Sequence, residues 1–155
     1  ADKVIFPGVG EASSAMQYLK ERDLDQVIKA LKVPVLGICL GMQLMCSYSE
    51  EGDTEGLGIF ETRVQRFQGD FKIPHMGWNT INQLHSPLFA GIETGCWQYF
   101  VHGYYAGLCK ETIAISDYFI PFSSALHKNN FYGVQFHPEK SGDAGQQILK
   151  NFIQL

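Results

Sequence analysis

The sequence has no excess of positive charge. Twelve Lys and Arg stand against 16 Asp and Glu, a formal net charge of −4. A nucleic-acid footprint needs a basic patch, and no run of like charges supplies one. No apolar stretch approaches the roughly 20 residues of a bilayer span, and the opening residues carry no signal-peptide pattern. Cysteine is scarce, with four in 155 residues and none in C-x-x-C spacing. No Cys/His cluster has zinc-ligand spacing, so neither a metal nor a cofactor is expected. Cys39 and Cys46 lie seven residues apart in one helical region, too far to bridge. Cys39, Cys46, Cys96 and Cys109 are therefore expected as reduced thiols in a cytoplasmic protein. What the chain does have is 45% hydrophobic residues, enough for the core of a single α/β domain over residues 1–155.

The most informative stretch is Val35-Leu36-Gly37-Ile38-Cys39-Leu40-Gly41-Met42-Gln43. The run from Val33 to Ile38 reads as a buried parallel strand. It ends at Cys39, flanked by Gly37 and Gly41, and an amphipathic helical segment is expected from Leu40 to Ser49. Strand, sharp turn, nucleophile and helix is the layout of a nucleophile elbow, with Cys where G-x-S-x-G has Ser. The turn leaves no room for side chains beside the nucleophile, hence the glycines. A helix N-terminus aimed at Cys39 favours a thiolate there. It also places the Leu40 N–H to bind a developing oxyanion. Against this stands a plain buried cysteine, which packs as a small hydrophobe.

Upstream, Lys3–Phe6 reads as a strand running into Pro7-Gly8-Val9-Gly10. That string is either an ordinary βα turn or a loop whose Val9 and Gly10 N–H groups form the second half of an oxyanion hole. Helices are expected over Ala12–Arg22 and Leu24–Lys32, the latter capped by Asp23. The acidic loop from Ser49 to Gly56 reads as a solvated connection, though Glu50 or Glu51 could reach a substrate amine. From Leu57 to Ile81 the pattern turns β-rich. Within it, Pro74-His75-Met76-Gly77-Trp78-Asn79 reads as an exposed loop with an aromatic anchor, His75 being structural. Leu88–Ile92 is a short helix or turn. Trp97–His102, Thr112–Ser116, Ser124–His127 and Phe131–Phe136 are further strands, with Asn129-Asn130 as a hairpin turn. His102 has no acid two residues on and is read as a packing or substrate-shaping residue. Ala144–Ile153 is the closing helix, capped by Asp143 with Gln146.

A cysteine nucleophile needs a base, and the base needs an orienting group. His137 stands at the end of a buried strand, where α/β folds place their sites. Glu139 follows two residues on. A chain extended through Pro138 puts both on one side. The carboxylate then fixes the imidazole tautomer and leaves the other ring nitrogen for Cys39.

The elbow, the Pro7–Gly10 string and His137-Pro138-Glu139 together resemble the class I glutamine amidotransferase family. The resemblance implies a flavodoxin-like three-layer α/β sandwich with a mostly parallel central sheet. It implies hydrolysis of the glutamine side-chain amide by a Cys39–His137–Glu139 triad, with Leu40, Val9 and Gly10 at the oxyanion. Pro74–Asn79, Tyr99-Phe100-Val101-His102 and Lys140-Ser141 resemble, more narrowly, the glutaminase subunits of imidazole glycerol phosphate synthase, which serve histidine biosynthesis. That likeness implies Gln43, Tyr99, Gly103 and Tyr104 around glutamine. It implies Trp78, Asn79 and Lys140 toward a cyclase partner, a (β/α)₈ barrel in a heterodimer, which receives the ammonia.

Two departures stand out. Position 103 is Gly where these subunits usually carry Ser or Thr, so a backbone contact survives there and a hydroxyl contact does not. The family's first strand and helix, with a D-Y-G-x-G-N-like turn, have no counterpart, so the chain is expected to be N-terminally incomplete. An open sheet edge should then make it associate when expressed alone. Other readings are a different class I glutaminase or γ-glutamyl peptidase, a catalytically weak partner-docking subunit, and a storage or chaperone-like protein with a redox cysteine. The last gives Glu139 no role.

Overall fold

A computed structural model describes residues 1–155. In chain order its elements are β1 (Val4–Gly8), α1 (Ala12–Glu21), α2 (Leu24–Ala30), β2 (Val35–Cys39), α3 (Leu40–Leu44), β3 (Cys46–Ser49) and β4 (Thr54–Glu55). Then follow β5 (Phe60–Arg66), β6 (His75–Ile81), β7 (Cys96–His102), β8 (Tyr104–Ala106), β9 (Thr112–Asp117), β10 (Pro121–Lys128), β11 (Phe131–Val134) and α4 (Gly142–Ile153). Short 3-10 turns cover Pro87–Phe89 and Pro138–Lys140.

One sheet runs in the order β1-β2-β11-β10-β8-β5-β3-β4, with β9 also paired to β10, and β6 and β7 form a separate hairpin. Successive residues of β2 face opposite sides, so the sheet carries a core on each face. Val35 joins Leu40, Met42 and the buried side of α1. Leu36 and Ile38 join Phe100 of the hairpin, Phe136, and Ile148 and Phe152 of α4.

The sheet is mixed rather than mostly parallel. Parallel pairing holds for β1–β2, β2–β11 and β3–β5, and the other pairings are antiparallel. The reason is connection length. A parallel pair needs a crossover of a dozen residues or so, whereas β10 returns as β11 through Asn129 and Asn130 alone.

The helix expected over Leu40–Ser49 stops at Leu44. A longer helix would give the carbonyls of Leu44 and Met45 to residues 48 and 49. Here Leu57 donates to Leu44 (2.8 Å), and Ile59 and Phe60 donate to Met45 (2.9 and 3.0 Å). The following residues, freed from the helix, pair as β3 with β5. All five residues of α3 are buried, so it is a core helix and not an amphipathic one.

The expected caps also differ. Asp23 takes a left-handed conformation and makes no side-chain cap. Asp143 lies inside α4, which starts at Gly142. The helix with a built cap is α1, where the Glu11 carboxylate accepts from the N–H groups of Ser13 (3.1 Å) and Ser14 (3.0 Å). The Ser13 hydroxyl and these N–H groups hold the Glu11 carboxyl down at about 2.

Candidate active site

Cys39 ends β2 with φ 55° and ψ −112°. That is left-handed territory for a non-glycine residue, a strain that folds keep where the surroundings force it. The surroundings are close-packed. A Cβ on Gly41 would lie 1.9 Å from the Phe6 carbonyl oxygen of β1, and one on Gly37 would lie 2.8 Å from the Met42 nitrogen. Glycine is required at both positions by the approach of α3 to the sheet.

The Cys39 sulfur sits near the Val101 carbonyl of β7 (3.8 Å), and the Gln135 side-chain amide donates to it at 3.7 Å. The thiolate expected at this elbow is not the resting state. Burial pushes the thiol up to about 11, and the charges of Glu139 and Glu51 add to that. The Leu40 N–H and the Gln135 amide pull the other way and do not win. A helix of five residues supplies little dipole to change that balance. The thiol is therefore the resting form, and a nucleophilic role for it would need a base.

His137 is the candidate. Its Nδ1 lies 3.2 Å from Glu139 Oε2, while its Nε2 is buried with no partner. A carboxylate accepts, so in the neutral ring Nδ1 carries the hydrogen and Nε2 presents a lone pair. The expected extended path through Pro138 is not what makes this contact. The chain turns in the 3-10 segment Pro138–Lys140, and the turn brings Glu139 back to its histidine. The backbone is pinned as well. His137 N–H donates to Tyr99 O (2.9 Å), and the Ser141 hydroxyl donates to His137 O (2.6 Å) while accepting from Tyr99 N–H (2.9 Å). Sequence reasoning gave Ser141 no role of its own, and its place after the Glu was the one available signal.

One cavity of about 330 Å³ gathers Val9, Gly10, Cys39, Leu40, Gln43, Gly103, Tyr104, His137 and Lys140. Glu51 and His102 line it too, and Glu50 does not. Gln43 reaches the Tyr104 carbonyl (3.1 Å) and Gln135 Oε1 (2.8 Å) through its amide nitrogen. Gln135, fully buried, was not singled out from the sequence. It is the middle residue of the strand-end run before His137, and a buried amide there needs a partner. Tyr99 falls outside the cavity wall. Its ring packs edge-on against Trp78 at 5.9 Å on the hairpin, and only its backbone touches the His137 turn. Trp78 is about half exposed. Asn79 spends its side chain on its own chain, donating to Asp117 O (2.9 Å) and accepting from Thr80 N–H (2.7 Å). The string around His75 is therefore strand β6, not a loop, and His75 is buried in it.

The family profile described as "Glutamine amidotransferase class-I" matches residues 2–155. With the elbow, the paired His–Glu and that match, the chain belongs to the class I glutamine amidotransferases. Within the family it falls among the glutaminase subunits of imidazole glycerol phosphate synthase. It is 60% identical over 158 residues to the imidazole glycerol phosphate synthase subunit HisH of Bacteroides fragilis, covering all of this chain and 81% of that one. The same subunit from Yersinia pseudotuberculosis is 50% identical over 159 residues, with the same coverage. In fold, the chain is similar to a putative GMP synthase protein from Thermoplasma acidophilum. The TM-score is 0.75 at 20% identity, over 99% of this chain and 71% of that one.

Proposed function

We propose that the chain hydrolyses glutamine to glutamate and ammonia through Cys39, His137 and Glu139. The observation that carries this reading is the bare, buried Nε2 of His137 in the same cavity as a protonated Cys39, with Glu139 on the opposite ring nitrogen. His137 Nε2 takes the thiol proton as the sulfur adds to the side-chain amide carbon. The oxyanion is met by the N–H of Leu40 and by the Val9–Gly10 loop. The imidazolium, stabilised by Glu139, gives its proton to the amide nitrogen, and ammonia leaves with the C–N bond. Water, deprotonated by His137, then adds to the γ-glutamyl thioester, and the sulfur departs and regains the proton.

Gln43 and the Gly103–Tyr104 backbone hold the substrate. Glu51 has a place in the wall from which to meet its α-amino group. Its carboxylate is only partly buried and already accepts from Ala12 N–H at 2.8 Å. Tyr99 acts through its backbone and not by touching glutamine. Trp78 and Lys140 face the cyclase partner, a (β/α)₈ barrel that takes up the ammonia to make imidazole glycerol phosphate in histidine biosynthesis, while the Asn79 side chain turns to the other face of the hairpin, toward His75 and Asp117. A resting thiol favours low activity until the partner and its nucleotide are bound, with the Val9 N–H completing the oxyanion hole only then.

The experiment is glutamate release by the full-length protein with and without cyclase and nucleotide ligand, beside Cys39→Ala. Strong stimulation, and a loss of at least about 10⁴-fold in the variant, is the expected result. Activity that is equal without partner overturns the gating. Activity that survives Cys39→Ala overturns the triad.

A further inference from the structure

Beside the triad lies a second pair of buried side chains that the reaction does not use. His75 on β6 and His102 at the end of β7 face each other across the hairpin, a directly opposed pair in its register. Nδ1 of His75 lies 2.9 Å from Nε2 of His102, and Nδ1 of His102 lies 2.7 Å from the Tyr104 carbonyl. The Asn79 amide nitrogen stands 3.4 Å from Nε2 of His75.

The chemistry of these groups fixes every proton. A carbonyl only accepts, so His102 Nδ1 carries a hydrogen and its Nε2 is bare. His75 Nδ1 must then donate, which leaves His75 Nε2 to accept from Asn79. The chain of bonds therefore has one direction, from Asn79 through His75 and His102 to the Tyr104 carbonyl. That same carbonyl accepts from Gln43 (3.1 Å), Gln43 donates to Gln135 (2.8 Å), and Gln135 donates to the Cys39 sulfur (3.7 Å). A proton on either ring would put two donors face to face. Burial prevents this, holding His75 down at about 4 and His102 at about 3. The rings are also wedged in place. His75 stacks on Tyr118 (4.0 Å) and Phe100 (5.0 Å), and His102 lies against Phe122 (5.2 Å) and Phe67 (5.3 Å).

What the pair holds is one carbonyl in a wall of the cavity whose backbone is otherwise carried by strand pairing, with β8 in register with β5 and Phe67 N–H donating to Gly103 O (3.1 Å). Around Gly103, a Cβ would find only Ile73 Cγ2 at 3.8 Å and Pro74 Cβ at 4.0 Å. With no side chain there to fill the space, the orientation of the Tyr104 carbonyl within this segment is set by the two side chains that donate to it, His102 and Gln43. We propose that His75 and His102 are positioning residues for the amide substrate: they set the plane of the Tyr104 carbonyl, and with it Gln43, from the Asn79 side of the hairpin. The proposal rests on the glutaminase reading. It predicts a role in substrate affinity more than in the chemical step, because the pair bonds the Tyr104 carbonyl that Gln43 also bonds, and not the sulfur.

The test uses the complete enzyme with its partner and nucleotide. His102→Asn keeps a donor at the Nδ1 position for the Tyr104 carbonyl. His102→Gln moves the amide to the Nε2 position and loses that bond, and His102→Phe removes both polar ends. KM for glutamine is expected to rise about tenfold in His102→Gln and His102→Phe, the scale of one lost buried hydrogen bond. The kcat should change less than about threefold, and His102→Asn should recover most of the affinity. Melting curves confirm that each variant is folded. Should His102→Phe fail to fold, the Asn and Gln variants decide alone. Equal KM values for those two, or a KM in either Gln or Phe matching the parent, overturns the proposal. Cys39→Ala run alongside separates the failures. If it is inactive while the histidine variants bind glutamine normally, only the positioning role falls. If it still turns over, the glutaminase reading falls first.

Discussion

The elbow and the hairpin meet at the same cavity and are built by opposite rules. The elbow, β2 with α3, is buried except where Cys39 meets the cavity, and its turn is enforced by contacts that exclude a single methyl group at Gly37 and Gly41. The hairpin β6–β7 is two-faced. His75, Gln98, Phe100 and His102 point into the protein, while Met76, Trp78 and Trp97 are about half exposed on the other side. Alternation along each strand sorts them, as it does in any half-buried antiparallel pair. The elbow holds Cys39 in a strained conformation through lack of room. The hairpin sets a polar network against the pocket on its inner face and leaves aromatic side chains exposed on its outer one. Close packing and polar bonding are thus assigned to different elements.

That contrast sets the order of expected effects. The largest belongs to Gly41→Ala. A Cβ there would lie 1.9 Å from the Phe6 carbonyl oxygen, so α3 must shift off the sheet. We expect a loss of about 3 kcal/mol or more, read by chemical denaturation. A variant as stable as the parent would mean that the elbow is not held by close packing. Glu139→Gln comes next and should leave the fold intact, since the Glu139 side chain is nearly half exposed and bonds only His137. Its glutaminase activity should fall by about 10²- to 10⁴-fold through loss of the tautomer and of the countercharge. The smallest effect on the isolated chain is that of Trp78→Ala. It should leave the melting temperature unchanged within error, because the indole is exposed. In a binding measurement it should weaken association with the cyclase by about 2 kcal/mol. If Trp78→Ala instead lowered the melting temperature and left association intact, the two faces of the hairpin would have exchanged roles.

Much of the site is legible in the sequence. The G-x-C-x-G elbow and the His-x-Glu pair each place their side chains through local geometry, a strand end in one case and a two-residue offset in the other. Even there, the local path differs at one point from the expected one. Glu139 reaches His137 because the chain turns at Pro138, not because it stays extended. The residues missed are those whose role depends on distant partners. Gln135 is one more polar residue in a strand until Gln43 and Cys39, more than 90 positions away, are found beside it. Tyr99 carries an aromatic ring that looks made for a pocket, yet its ring belongs to Trp78. The thiolate expectation fails for the same kind of reason. The dipole of a helix can be read from sequence, but the burial that outweighs it cannot.

The sequence by itself determined the chemistry. Residue types at fixed short spacings carry the proposed nucleophile, base and carboxylate, because such offsets are set by the backbone over a few residues. It also determined the family, through strings that cover nearly the whole chain. The tertiary structure decided what depends on contacts between remote segments. It ended α3 at Leu44, because Leu57, Ile59 and Phe60 take the carbonyls that a longer helix would use. It made the sheet mixed, kept Cys39 a thiol, and aligned two histidines 27 residues apart into one directed chain of hydrogen bonds. Burial, register and proton direction are properties of neighbours in space, and no local pattern fixes them.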